Sequence, residues 1–213
     1  MDIRTREAVR YLGYGHHAID ELTLELIQDS FRELDQFSSR RFIYRIFEIS
    51  IDKPNRIYLD NILIESKSLS KNLDGCSKAA VFAATLGVEV DRMLKRYAVS
   101  NVAKAVVMQA CAAAKLEEYC DEIVEEIRGT LQEEIYLRPR FSPGYGDLSL
   151  EYQKVVLGLL DTPKKIGLTM TEASMLVPTK SVTAILGISN IDTKCHKEGC
   201  EICNKLDCAF RRS

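Results

Sequence analysis

Hydrophobic and polar positions alternate with a helical period in two segments near the start of the chain. Residues 4–12 and 20–36 carry apolar side chains three and four positions apart, with charged residues between them. In the second segment, four apolar residues fall near one face of a helix: Leu22, Leu26, Ile27 and Leu34. The pattern predicts two amphipathic helices.

The period then changes to that of β-strands. Residues 41–51 and 56–64 are rich in β-branched and aromatic side chains, and the turn-forming sequence Asp-Lys-Pro-Asn lies between them at 52–55. These residues predict a β-hairpin. The apolar run at 77–86 fits either a buried strand or a short helix, and its periodicity does not decide between the two.

Helical character begins at Gly87 and continues to about Arg128, with a break near Ser100 and Asn101. Residues 102–128 predict the longest helix of the chain. Its first half consists of small apolar residues, which allow close packing against neighbouring elements, whereas its second half is acidic and is expected to be exposed.

A shorter helix is predicted over Ser149–Leu160, with Asp147 or Ser149 as its N-cap and with Pro163 ending it. Residues 166–189 predict two strands joined around Pro178 and Thr179.

Strands and helices do not alternate regularly along the chain, which favours an α+β fold over a doubly wound parallel sheet. We expect one body over residues 1–190, with a mainly antiparallel, twisted sheet packed with helices. A cysteine-rich tail over residues 191–213 follows it.

The composition is that of an ordinary globular protein, with 46% apolar and 28% charged residues among 213. A formal net charge of −2 gives no electrostatic reason to expect a nucleic-acid partner. No window approaches twenty consecutive apolar residues, so no membrane span is expected. The charged N-terminal segment lacks the apolar core of a secretory signal, and we expect a cytoplasmic protein.

Gly13 to Ala18 match the letters of a dinucleotide-binding fingerprint, G-x-G-x-x-A. That motif requires a strand before it, whereas a helix is predicted here, so a plain turn between two helices is the better interpretation. His16 and His17 in this turn are expected to be exposed to solvent rather than to bind a metal.

Seven cysteines require an explanation in a protein expected to be cytoplasmic. Three lie in apolar or helical runs and predict small buried side chains: Cys76, Cys111 and Cys120. The other four form the pattern C-x4-C-x2-C-x4-C in the tail: Cys195, Cys200, Cys203 and Cys208. Four thiolates so close together favour one bound zinc ion or an iron–sulfur cluster. The alternatives are a flexible reduced tail or two disulfides formed on oxidation.

Residues 138–147, RPRFSPGYGD, cannot form a helix or a regular central strand, because they contain two prolines and two glycines. Arg140 offers a fork of donors suited to a carboxylate, and Tyr145 offers an aromatic face and a hydroxyl. From these residues alone, a ligand-binding loop and a plain chain reversal remain equally good interpretations.

Three motifs in one order resolve this ambiguity by resemblance. The run from Arg140 to Tyr145, R-F-S-P-G-Y, is followed by L-T-M-T-E at Leu168–Glu172 and then by Pro178-x-x-Ser181-Val182. From about residue 100 to 189, the chain resembles the activation domain of cobalamin-dependent methionine synthase. In that family, an R-x-x-P-G-Y loop binds S-adenosylmethionine.

The resemblance implies a stand-alone activation component that is not sufficient for catalysis by itself. Its partner would be a cobalamin-binding methionine synthase polypeptide, and its electron donor a protein such as flavodoxin or ferredoxin. In the family, inactive cob(II)alamin is reduced by one electron and trapped by methyl transfer from S-adenosylmethionine, which restores methylcobalamin.

The resemblance also implies a set of ligand-binding residues: Arg140, Ser142, Pro143, Gly144, Tyr145 and Glu172. Arg140 would pair with the ligand carboxylate, and Ser142 would contact the ligand through its backbone. Gly144 would allow close approach, and Tyr145 would lie near the ligand and the cobalamin. Glu172 matches a family glutamate beside this site, where a structural hydrogen bond is an equal alternative.

The chain departs from the family at several positions. Gly146–Leu148 replaces a Pro-x-Cys-Pro segment, and the strand after Val182 lacks a family tyrosine. An acidic residue of the long helix contributes in the family, for which Glu117 and Glu118 are candidates. The cysteine tail would be a point where electrons enter.

Two other functions remain open. One is an independent S-adenosylmethionine-dependent methyltransferase, which normally needs a Rossmann-like sheet with a glycine-rich loop. The other is an iron–sulfur or zinc accessory protein that reactivates another corrinoid methyltransferase.

Overall fold

The computed structural model describes residues 1–14, 17–131 and 135–191. These residues contain the helices α1 (Ile3–Tyr11), α2 (Glu21–Phe37), α3 (Lys67–Asn72), α4 (Val88–Ser100), α5 (Val102–Thr130), α6 (Tyr152–Leu160) and α7 (Thr162–Ile166). The strands are β1 (Arg41–Asp52), β2 (Arg56–Leu59), β3 (Ile62–Glu65), β4 (Lys78–Thr85), β5 (Tyr136–Leu137), β6 (Thr169–Met170), β7 (Leu176–Val177) and β8 (Ser181–Ser189).

The described chain divides into two compact units. The first contains Met1–Arg40 and Leu86–Asp121, and the second contains Arg41–Thr85 and the described residues from Glu122 onward. These units differ from the division predicted from the sequence. The predicted body over residues 1–190 and tail over residues 191–213 stay a prediction.

The first unit is helical, as its amphipathic segments predict. Asp2 caps α1 by accepting a hydrogen bond from the Thr5 amide at 2.8 Å, and Asp20 caps α2 through the Thr23 amide at 2.9 Å. Each cap satisfies a backbone donor that the first turn of a helix leaves without a partner. The predicted apolar face of α2 is confirmed at Ile27 and Leu34, whereas Leu22, in the first turn, is 73% exposed.

Asn101 separates α4 from α5 and confirms the predicted break. Its extended backbone ends α4, with its amide donating to the Tyr97 carbonyl at 2.8 Å. Its side-chain oxygen accepts from the Lys104 amide at 3.0 Å and so caps α5. One residue therefore ends one helix and begins the next.

Two buried lysines of α5 are paired with carboxylates of α2. Lys104 Nζ lies 3.1 Å from Glu33 Oε1, and the Tyr97 hydroxyl donates to Glu33 Oε2 at 2.7 Å. Lys115 pairs with Asp35 in the same way. Because a buried charge without a partner is costly, these pairs fix the register of α2 against α5.

Cys111 and Cys120 are buried as predicted, whereas Cys76 is half-buried. Burial raises the pKa of the Cys111 thiol to about 12. Because only the thiolate reacts, we expect iodoacetamide at neutral pH to modify Cys76 well before Cys111 in the native protein. Peptide mass spectrometry over time would measure this. Equal rates for the two thiols without denaturant would contradict the packing described here.

The second unit is built on a six-stranded sheet in the order β3-β2-β1-β4-β8-β5, in which every neighbouring pair is antiparallel. The α+β class is thereby confirmed. The undecided run at 77–86 forms the strand β4, between β1 and β8. Its residues are apolar on both faces because both are buried, which explains why no alternation marks this strand in the sequence.

One face of this sheet packs against α3, α6 and α7. One buried cluster contains Leu69 of α3, Leu73 just after that helix, Val156 and Leu160 of α6, and Val81 of β4. The helices thus cover the face that carries the odd-numbered residues of β4. The residues just after α3 meet β8, since a Cβ at Gly187 would lie 2.8 Å from Leu73 Cδ2 and the Ser189 hydroxyl donates to the Gly75 carbonyl at 2.9 Å.

Several boundaries differ from the prediction. Asp60, with φ of 48°, turns the chain within the predicted strand 56–64 and divides it into β2 and β3. The helix predicted from Ser149 begins at Tyr152 and ends before Asp161, a left-handed residue. Pro163 does not end it but lies in the first turn of α7, where its missing donor costs nothing. Residues 166–189 form the β6–β7 hairpin and the long strand β8.

A candidate ligand loop held by α3 and β8

The loop over 138–147 follows the edge strand β5, and its first residues stay hydrogen-bonded to β8. The Arg138 amide donates to the Gly187 carbonyl of β8 at 2.9 Å. Phe141 and Ile185 then exchange two backbone hydrogen bonds, of 2.9 and 2.8 Å. The first half of the loop is therefore an irregular continuation of β5, which is why its prolines are tolerated there.

Helix α3 flanks the same segment. The buried Arg138 side chain donates to the Asp74 carbonyl at 2.9 Å, and the side-chain amide of Asn72 donates to the Pro139 carbonyl at 3.3 Å. Gly187 makes room for this side chain, because a Cβ at that position would lie 2.9 Å from Arg138 Cγ. The start of the loop is thus held from both sides.

The tip of the loop is closed by its own backbone. The Tyr145 amide donates to the Ser142 carbonyl at 3.0 Å, and the Leu148 amide donates to the Tyr145 carbonyl at 2.9 Å. The Gly144 amide donates to the Leu148 carbonyl at 2.8 Å. Gly144 has φ of 93°, a conformation open to glycine and strained for other residues, so the tip needs glycine at this position.

Asp147 fastens the far end of the loop to the start of α3. Its carboxylate accepts from the Ser66 hydroxyl at 2.6 Å and from the amides of Lys67 and Ser68 at 2.8 and 3.0 Å. The Ser66 hydroxyl oxygen accepts in turn from the Leu69 amide at 3.0 Å. The first amides of α3 are thereby satisfied, and Asp147 does not cap the following helix. Ser149, the other predicted cap, accepts from the Glu151 amide at 3.2 Å.

The donors around Asp147 hold the pKa of its carboxyl far below the usual range, with the Ser66 hydroxyl as the largest cause. A lowered pKa in the folded state means that this carboxylate stabilises the protein above the usual aspartate pKa of about 3.9. That contribution is lost as the pH falls below this value.

We therefore expect Asp147→Asn to lower the free energy of unfolding at about pH 7, and the difference from the unaltered protein to shrink between about pH 4 and pH 2. Urea unfolding at each pH would measure this difference. An equal loss of stability at both ends of the range would show that the carboxylate charge has no part in it.

The loop brings together five of the six residues predicted to bind a ligand. Arg140 and Ser142 are half-buried, and Gly144 and Tyr145 are exposed at the tip. The Tyr145 ring is 55% exposed although it meets the Phe141 ring edge-on, with 6.0 Å between centroids. Pro143 is buried, so it shapes the loop from the inside.

Glu172 lies on a different element, at the exposed turn between β6 and β7. The Thr171 amide donates to the Met175 carbonyl at 2.9 Å and closes this turn. The hairpin precedes β8, whose residue Ile185 bonds to the loop. A role for Glu172 in ligand binding stays a prediction.

The two candidate acidic residues of α5 belong to the first unit. Glu118 is exposed and lies 4.0 Å from the Arg4 guanidinium, and Glu117 is half-buried. Their role in ligand binding stays a prediction.

The four tail cysteines, Cys195, Cys200, Cys203 and Cys208, and also His16, lie outside the described residues. Within the parts of the chain that the structure describes, no group of three or more histidine, cysteine or acidic side chains could hold a metal. No helix among the described residues is long and apolar enough to cross a membrane.

The chemistry of the loop suits a small ligand with a carboxylate. The Arg140 guanidinium supplies parallel donors, and the glycine at 144 exposes backbone to close approach. The Tyr145 ring supplies an apolar face beside them. Residues that hold the loop, such as Asp147 and Asn72, were not predicted, because their partners lie 67 or more residues away in the sequence.

The fold is similar to that of a solved reactivation domain. It matches the crystal structure of the MetH reactivation domain bound to AdoHcy with a TM-score of 0.61 and 17% sequence identity. The match covers 89% of this chain and 76% of that chain. No protein-family model and no curated protein matches the sequence. The fold implied by the resemblance of the three motifs is therefore confirmed.

Proposed function

We propose that this protein binds S-adenosylmethionine at the loop over 138–147 and serves as an activation component for a separate cobalamin-dependent methionine synthase. The observation that carries this proposal is that an R-x-x-P-G-Y loop occurs on a fold similar to that of a domain solved with a related ligand. A reactivation domain of the same fold has been solved with AdoHcy, the product that S-adenosylmethionine leaves after methyl transfer. The R-x-x-P-G-Y motif lies at an exposed, preformed turn.

In this proposal, Arg140 binds the ligand carboxylate through its guanidinium. The backbone at Ser142 and Gly144 contacts the ligand, and Tyr145 covers one side of it. The protein contributes by holding the sulfonium methyl group at the correct distance and angle from the partner's cofactor. Pro143 acts indirectly, because it is buried beneath the turn.

Cobalamin, carried by the partner, would supply the nucleophile that accepts the methyl group after one-electron reduction. The bond between the methyl carbon and sulfur would break as the methyl group bonds to the partner's reduced cofactor, and its electron pair would stay on the sulfur of AdoHcy. The electron would come from a donor protein such as flavodoxin or ferredoxin. The protein described here would catalyse no turnover without its partner.

A conventional methyltransferase is the less favoured function. Such enzymes normally bind S-adenosylmethionine at the carboxyl edge of a parallel, Rossmann-like sheet. Every strand pair described in the present six-stranded sheet is antiparallel, and the ligand motif lies beside the edge strand β5.

The cysteine tail is proposed as a metal site, supported by the spacing of its four thiols alone. Cys195, Cys200, Cys203 and Cys208 would hold zinc or an iron–sulfur cluster, and the latter would offer a path for electrons. Metal analysis of anaerobically purified protein, beside a variant with all four cysteines changed to serine, would test this. Equal metal content in both proteins would dismiss the site.

The activation role is tested by adding the protein to an inactive, cob(II)alamin-bearing methionine synthase that lacks its own activation module. With S-adenosylmethionine and a reductant present, we expect methylcobalamin absorbance and methionine formation to return. The control omits only this protein. Transfer of the methyl group from S-adenosylmethionine without any corrinoid would instead support a methyltransferase.

A further inference from the structure

We propose that Asp147 is a positioning residue for ligand binding, which sets the shape of the 138–147 loop by clamping its far end to α3. This inference rests on the proposed function, because it concerns the same loop. It goes beyond that function, because Asp147 lies outside the predicted ligand set and in the segment where the chain departs from the family.

The geometry of the clamp carries the inference. Asp147 makes three hydrogen bonds of 2.6 to 3.0 Å to consecutive residues at the start of α3. Two residues before it, Tyr145 begins the backbone turn that returns to Leu148. The position of the aspartate therefore fixes where the turn ends, and with it the direction of the Tyr145 ring.

Gly146 shows how closely the clamp fits. A Cβ at Gly146 would lie 2.6 Å from Ser68 Oγ and 2.8 Å from Ser68 Cβ, and its φ is 53°. The loop thus touches the first turn of α3 at two successive residues. A side chain at 146 would push the loop away from the helix that holds it.

The other end of the loop is anchored separately. Asn72 and Asp74, at and beyond the end of α3, bond to Pro139 and Arg138. The loop is therefore suspended between the two ends of one short helix, with Arg140 to Tyr145 spanning the interval. Within this interval Phe141 is also bonded to Ile185 of β8, so release of the Asp147 end would let the part from Ser142 to Tyr145 change its shape without unfolding the sheet.

The test measures binding of AdoHcy and of S-adenosylmethionine by calorimetry on the full chain, at a temperature where every variant is folded by circular dichroism. We expect Asp147→Ala to weaken both affinities by about fivefold or more, as for the loss of a side-chain cap. Asp147→Asn should weaken them less, because its amide oxygen still accepts from Ser66 and Ser68. The matched control is Asp20→Ala, which removes the same type of cap from α2 and should leave both affinities unchanged.

Amide hydrogen exchange without ligand provides the readout that a general loss of stability would not reproduce. Asp147→Ala should accelerate exchange at the amides of Gly144 and Tyr145 while the amides of β4 keep their rates. Parallel acceleration at β4 would overturn the positioning role. The variant Gly146→Ala should also weaken binding, and Ser68→Gly should partly restore it by making room.

The two proposals can fail separately. Binding by the unaltered protein with Asp147→Ala within twofold of it would overturn the positioning role and leave the ligand site standing. If the unaltered protein binds neither AdoHcy nor S-adenosylmethionine, the proposed ligand site is overturned, and the positioning role with it.

Discussion

Replacing Arg140 with alanine is expected to weaken S-adenosylmethionine binding by roughly 10- to 150-fold. A hydrogen bond to a charged group contributes about 1.5–3 kcal/mol, and this range converts to that change in affinity. The guanidinium is half-buried at the rim of a loop whose backbone is closed by its own hydrogen bonds. The backbone hydrogen bonds that close the loop do not use this side chain, and under the proposed function its removal takes away a contact to the ligand carboxylate.

Arg140→Lys and Arg56→Ala make this prediction specific. The lysine keeps the charge but not the planar fork, so its affinity should fall between those of the unaltered protein and the alanine variant. Arg56 is an exposed arginine of β2 in the same unit, and its loss should leave binding unchanged. Isothermal titration of all four proteins would measure this. Equal affinities for the Arg140 and Arg56 alanine variants would remove Arg140 from the site.

Phe82→Ala is expected to lower the free energy of unfolding by about 3–5 kcal/mol. Phe82 is fully buried at the centre of β4, with Tyr44 of β1 and Ala184 of β8 as its cross-strand neighbours. The truncation removes most of a large apolar side chain and leaves a cavity in a region with no exposed surface. Urea unfolding followed by circular dichroism would measure the change.

Phe37→Ala is the matched control for this prediction. Phe37 lies at the end of α2 and is 48% exposed, so the same substitution should cost about 1 kcal/mol or less. A similar loss for both variants would contradict the burial of β4. A loss of S-adenosylmethionine binding in folded Phe82→Ala would show that the central strand also shapes the loop at the sheet edge.

Local patterns predicted those elements whose stabilising contacts are also local. The helices α1, α2, α4 and α5 were predicted to within a few residues. Their apolar residues recur every three or four positions, and capping residues mark where the helices begin. The turn at 52–55 was predicted for the same reason. The strand β4 was left undecided, because burial on both faces removes the alternation that identifies a strand.

Contacts between distant residues explain the wrong predictions. Asp147 was expected to cap the helix that follows it, since a side chain is judged by its neighbours in sequence. Its donors lie on Ser66, Lys67 and Ser68 instead, about eighty positions earlier. Pro163 was expected to end a helix, but the left-handed residue Asp161 had already ended it.

The sequence suggested which residues of the loop are candidates for ligand binding, but it did not show which contacts hold the loop in place. The order of three motifs made Arg140 to Tyr145 candidates for ligand binding, which stays a prediction, and the structure adds that the tip of this interval is a preformed turn. It places Glu172 on the separate β6–β7 hairpin, which motif order does not reveal. The anchors on α3 left a faint local sign, since Ser66 directly precedes the helix as serine caps often do.

Because the loop is held by contacts with α3, the residues after it and β8, it cannot be moved alone into a peptide or another protein. A synthetic peptide of residues 138–147 would carry every ligand-motif residue of the loop yet lack the partners of Arg138, Phe141 and Asp147, and should therefore not keep this turn. The smallest graft would be discontinuous, with the stretch from Ser66 to Asp74 and the centre of β8 moved alongside it. The candidate ligand motif occupies ten residues, but the contacts that set its shape come from the loop itself and from two other stretches of the chain.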